Sequence, residues 1–224
     1  MDNPVSKLSI RVNENFYLKN PDSSAIGKKI VQYGIILIDE IGFESFTFKK
    51  LAKKIISTEA TIYRYFESKH KLLLYLTCWY WAWMEYRLLF SITNVESARE
   101  RLERSIRLLT EVIKEDSDFS YINEIKLNRI VISEASKSYL NRDVDKENKE
   151  GAYLDYKKLV QRISEIILEI NPNYKYPHML ISTVIEGAHI QRYFAEHLPR
   201  LTDTDSKEDA IAKFFEQMVF KAIA

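Results

Sequence analysis

Thr47-Phe48-Lys49-Lys50-Leu51-Ala52-Lys53-Lys54-Ile55-Ile56-Ser57-Thr58-Glu59-Ala60-Thr61-Ile62-Tyr63-Arg64-Tyr65-Phe66 holds two short helical patterns back to back. Thr47 has the chemistry of an N-cap, a hydroxyl able to accept from the free N–H groups of a first helical turn. Leu51, Ala52 and Ile55 then share one apolar face. Ile56-Ser57 is the turn, Thr58 the next N-cap, and Ile62 and Phe66 point inward at i, i+4. Helices this short do not hold by themselves and need neighbours to pack against.

The neighbours are legible on both sides. Upstream, Ser23 or Ser24 can start a helix whose Ile26, Ile30, Tyr33, Leu37 and Ile41 recur at helical spacing, and Gly42 follows as a residue that adopts positive φ without a Cβ penalty. Downstream, Ser68 caps a long fourth helix through Leu72, Leu76, Trp79, Trp83, Tyr86 and Phe90. It is apolar nearly all round, which predicts burial on more than one side. Charge follows the same centre. The net charge is +1, but residues 47–71 carry seven Lys/Arg against Glu59 and Glu67. Residues 1–71 have 12 cations and 8 carboxylates, and the remainder is net acidic. A local basic cluster on a neutral chain is an electrostatic footprint for nucleic acid.

With that packing, Glu59, Ala60, Thr61, Tyr63 and Arg64 lie on the outer face of the second short helix. Small residues in the first turn admit a close approach to a major groove, and hydroxyls and a guanidinium supply donors. The Thr-Ile-Tyr-Arg-Tyr-Phe run at 61–66, followed by Ser68-Lys69 and Leu72-Leu73, resembles the DNA-binding signature of the tetracycline-repressor (TetR) family. The likeness covers about residues 24–76. It implies that Thr47 caps the second helix and touches phosphate, and that Lys49 lies at the groove edge. It also implies that Thr58, Thr61 and Tyr63 meet phosphates or base edges, and that Lys69 pairs with a phosphate. Three positions depart from the family pattern: Ile56 replaces a turn glycine, Ser57 an apolar turn residue, and Glu59 stands where a polar or basic residue is common.

The rest of the chain is read as helices near 95–116, 119–140, 151–170, 177–197 and 206–222. The breaks are the polar run 141–150, Pro172, Pro177 and Pro199, and a turn-rich Thr202–Ser206 that can cap the last helix. Only 5 Gly and 5 Pro in 224 residues, with no period-2 pattern, predict an all-α fold of about nine helices. The expected organisation is an arm (1–23), a three-helix helix-turn-helix domain (24–70) and a helical effector and dimerisation domain (71–224). Its last two helices are candidates for a dimer interface through Ile181, Ile185, Ala188, Phe214, Phe215 and Met218.

Trp83, Tyr86, Tyr121, His189 and Tyr193 are the candidate lining of a pocket for a small apolar or aromatic effector. For any single ring of the aromatic run Trp79–Tyr86 core is the favoured reading, with Trp83 and Tyr86 the two that could face a cavity. His178, Glu186, His189 and His197 share one predicted helix, but about three turns separate the first and third, so no metal site is assigned. No Gly-rich phosphate loop and no nucleophile–base spacing appears, so no cofactor and no catalysis are expected. The single cysteine, Cys78, excludes an internal disulfide. No stretch approaches the roughly 18 apolar residues of a membrane span, and Met1–Arg11 lacks an apolar signal core. The sequence thus predicts a cytoplasmic, homodimeric, ligand-responsive repressor of transcription that binds double-stranded DNA. A helical interaction protein without specific DNA binding is the alternative, and a small helical enzyme a more distant one.

Overall fold

The computed structural model describes residues 10–115, 121–204 and 208–224. All regular structure among them is helical. The part of the predicted arm before residue 10 lies outside the described residues, as do the ends of the expected helices at 116, 119–120 and 206–207.

The chain divides into two compact units, residues 1–83 with 113–155, and residues 84–112 with 156–224. In the first, α1 (Ala25–Ser45) starts at Ser24, whose hydroxyl accepts from the Gly27 amide at 3.0 Å. Of the expected stripe Ile30 and Leu37 are buried, but the buried face also takes in Val31, Ile35 and Ile38, while Ile26 and Tyr33 are half-buried and Ile41 is exposed. Gly27 shows one cause: a Cβ there would lie 2.2 Å from the Pro21 carbonyl oxygen. The missing side chain lets the arm close on that side of α1. Gly42 has φ 73° and ψ 155°, and the helix kinks there.

After the kink come α2 (Phe48–Lys54) and α3 (Glu59–Tyr63). Next is α4 (Lys69–Ile92), with Leu72 to Trp81 continuously buried, as its all-round apolarity requires. Trp79 stacks on Trp83 at 6.2 Å, and Tyr80 meets Trp81 edge-on at 5.1 Å. These rings are core. The arm belongs to this unit too. Phe16 is fully buried, and the Leu18 amide donates to the Tyr65 carbonyl at 2.7 Å.

The expected helix 119–140 is interrupted. It forms α6 (Glu124–Ser133) and the single turn α7 (Ala135–Ser138), parted at Glu134. The Glu134 carboxylate accepts from the Phe43 amide at 3.2 Å and from Lys137 Nζ at 2.6 Å. The polar run read as a break contains α8 (Val144–Lys149). Its Glu147 is buried, accepting from Tyr153 Oη at 2.8 Å and paired with His70 Nε2 at 2.5 Å.

In the second unit, α5 (Ala98–Thr110) packs on α10 (Pro177–His197) and α11 (Ala210–Ala222), and α9 (Leu154–Ile170) contributes its residues from Tyr156 on. Arg162 grips buried Glu85 at 2.8 Å, and Arg192 donates to the Thr110 carbonyl at 3.0 Å. The last helix begins at Ala210, where Asp209 supplies the cap by accepting from the Ala212 amide at 3.1 Å; the expected cap at Ser206 lies outside the described residues. Ile181, Ile185, Ala188 and Phe215 are buried inside the protomer, so they are core. The exposed large apolar residues on α10 and α11 are Met179, Ile190, Tyr193 and Phe214.

Candidate nucleic-acid interface

The corner from Gly42 to Lys69 is built from caps. Thr47 Oγ1 accepts from the Lys50 amide and Thr58 Oγ1 from the Thr61 amide, each at 3.2 Å. Lys50 Nζ donates to the Ser45 carbonyl at 2.7 Å. The turn between α2 and α3 keeps a left-handed residue, and it is Ile56, at φ 53°. The departure from glycine therefore leaves the turn in place and strains it, since a β-branched side chain crowds the backbone in this region. The Ile56 side chain is 95% exposed, so no packing of its own offsets the strain.

The short helix α3 buries Ile62 and exposes Glu59, Ala60, Tyr63 and Arg64, with Thr61 half-buried. Thr58 Oγ1 and Thr61 Oγ1 lie 3.0 Å apart, and Arg64 Nη2 donates to Thr61 Oγ1 at 3.2 Å. One polar chain therefore runs along the outer face and pre-orders the guanidinium. The Tyr63 ring packs edge-on against Phe48 at 5.0 Å, which fixes its direction while its tip stays in solvent. Lys49 is exposed on α2. These side chains form one surface of donors and acceptors.

Lys69 sits differently from the rest. Its ammonium donates to the carbonyls of Phe43, Glu44 and Phe46 at 2.9, 3.2 and 3.4 Å, and lies 4.7 Å from the Phe43 ring centroid. It satisfies carbonyls that the kinked end of α1 leaves open. Sequence reasoning missed this because the acceptors are backbone atoms more than 20 residues away. It also missed Tyr65, whose hydroxyl meets Ser24 Oγ at 2.7 Å and so ties the end of α3 to the start of α1.

The candidate effector residues divide between the units. Trp83 is buried in the first unit's aromatic stack, and Tyr121 there donates to the Asp22 carboxylate. In the second unit Tyr86 is half-buried, and Tyr193 is exposed with its ring 4.5 Å from that of His197. His189 is buried, and desolvation, opposed in part by Glu186, pushes its pKa down to about 4. His178 pairs with Gln161 at 2.7 Å. Among the described residues no three His, Cys, Asp or Glu side chains converge as metal ligands. The Cys78 thiol donates to the Ala152 carbonyl, and burial pushes its pKa up, which makes a nucleophilic role unfavourable. No helix among the described residues is long and apolar enough to cross a membrane.

Residues 30–76 match the family described as bacterial regulatory proteins, tetR family. No curated protein matches the chain by sequence. Among solved structures, the superantigen PfiT aligns with a TM-score of 0.59 at 15% identity, over 91% of this chain and 97% of that one. The ketosteroid transcriptional regulator KstR2 of Mycobacterium tuberculosis aligns with a TM-score of 0.55 at 11% identity, over 97% of each chain. At such identities the two likenesses establish the fold. The sequence match to the tetR family of bacterial regulatory proteins holds for residues 30–76, from within α1 into α4.

Proposed function

We propose that the protein is a homodimeric repressor that reads a near-palindromic operator with two copies of α3 and leaves it when a small apolar or aromatic effector binds. The carrying observation is the ordered Thr58–Thr61–Arg64 chain beside exposed Tyr63, Ala60 and Glu59 on a capped helix. Thr47, Lys49 and Thr58 would meet phosphates at its edges. Lys69 would act by holding the corner that presents Thr47. Glu59 would accept from a cytosine amine in the major groove.

Dimerisation is supported by the exposed Met179, Ile190, Tyr193 and Phe214 on α10 and α11. A single unit of this kind makes few base contacts, and two give a useful specificity. The effector reading rests on half-buried Tyr86, exposed Tyr193 and buried His189 in the second unit. The alternative of lost DNA binding is weakened by Ile56, which keeps the positive φ that the turn needs.

Selection of bound sequences from a random DNA pool tests the reading. The expected outcome is an enriched motif with twofold symmetry, bound in a salt-dependent way and lost in Tyr63→Ala. An unenriched pool at low salt would refute it.

A further inference from the structure

We propose that a cavity between the arm and α4 binds a small organic cation, an ammonium group on a short aromatic body. The cavity, about 390 Å³, is lined in part by Arg11, Glu14, Tyr17, Asn20, Asp22 and Tyr75. Its volume falls in the lower part of the range for small-molecule sites.

Three features select the ligand class. Tyr75 is 1% exposed and borders the cavity, yet its hydroxyl has no hydrogen bond among the described residues. The Tyr75 hydroxyl oxygen is not among the fully buried polar atoms left without a partner, so it opens to the cavity, where an ammonium N–H can donate to it. The Tyr17 and Tyr75 rings meet edge-on at 6.1 Å, and tyrosine faces attract cations. Among the described residues the lining carries two carboxylates, Glu14 and Asp22, against one cation, Arg11, which is exposed. The local field is negative: beyond burial, Glu14 and Asp22 push the Tyr17 phenol up, and Asp22 does the same to Tyr75. An anion would meet Arg11 but also both carboxylates.

The position has a consequence for α3. Tyr17 is followed in the chain by Leu18, whose amide donates to the Tyr65 carbonyl, and Lys19, 5.4 Å from the Tyr65 ring centroid. A ligand held under Tyr17 and Asp22 would brace the end of the recognition helix from inside the DNA-binding unit. This site is separate from the effector site proposed above and does not depend on it.

The test is calorimetric titration of the full-length protein, without DNA, with phenethylammonium and in parallel with phenylacetate at matched ionic strength. Saturable one-to-one binding of phenethylammonium is expected, with phenylacetate at least about tenfold weaker. Tyr75→Phe, which keeps the ring, and Glu14→Gln, at an exposed position, should each weaken the ammonium by about tenfold, as loss of a charge-assisted contact does. Equal affinity for the two probes, unchanged affinity in Tyr75→Phe, or no saturation at millimolar concentration would overturn the proposal.

Discussion

Ile56 is held where a β-branched residue is disfavoured, at φ 53° and 95% exposed. Left-handed backbone costs an L-residue roughly 1–2 kcal/mol, and glycine in exchange loses roughly 0.5–1 kcal/mol of chain entropy. Ile56→Gly should therefore stabilise the fold by about 0.5–1 kcal/mol, read as a higher urea midpoint at an unchanged slope. His189 gives a residue-scale prediction in pH. Its folded pKa is about 4 against the ordinary 6.5 of a free imidazole, so between those values the unfolded chain binds the proton and the folded one does not. The stability that depends on neutral His189 is complete above about pH 6.5 and falls as pH drops toward 4, by up to about 3 kcal/mol. Urea midpoints from pH 7 to 4 check this, and His189→Gln should flatten the profile.

At the scale of elements, what the sequence made legible was local. Ser24, Thr47 and Thr58 each accept from an amide three residues on, so residue type and position suffice to name them as caps. Gly42 announced its positive φ in the same way. What stayed hidden is held by partners far along the chain. Glu134 splits α6 from α7 through the Phe43 amide, 91 residues away, and Glu147 is buried by His70, 77 residues away. Nothing in a polar run such as 141–150 marks one carboxylate as internal. Glu59, Ala60, Tyr63 and Arg64 are exposed on α3, as its helical spacing implied, but Lys69 took carbonyls that no local pattern points to. Two substitutions separate these roles. Thr47→Ala should cost about 1 kcal/mol of stability by uncapping α2. Lys69→Ala should lower the thermal midpoint clearly more than Lys49→Ala, whose side chain is exposed, while both weaken DNA binding.

At the scale of the molecule, the basic cluster predicts a steep salt dependence of DNA affinity on an otherwise neutral chain. Lys49→Ala should reduce the slope of log affinity against log salt by about one, if it contacts a phosphate, and weaken all sequences alike. Assembly has its own contrast. Ile190→Glu with Phe214→Glu changes exposed residues and should give a helical monomer by light scattering, with DNA affinity lost. Ile185→Glu places a carboxylate in the core and should unfold the chain instead.

Asp39 and the Phe43 amide fix what could be transplanted between regulators. Asp39 on α1 is held by Lys126 Nζ at 2.8 Å and Arg129 Nε at 2.8 Å, and Phe43 by Glu134, all from the stretch 113–155 that shares the first unit. Splicing residues 24–70 onto a foreign helical body would strand a carboxylate and an amide together. The reading head is not a cassette: a chimera that is to carry this specificity must import the α6–α7 segment with it, or supply those three side chains anew.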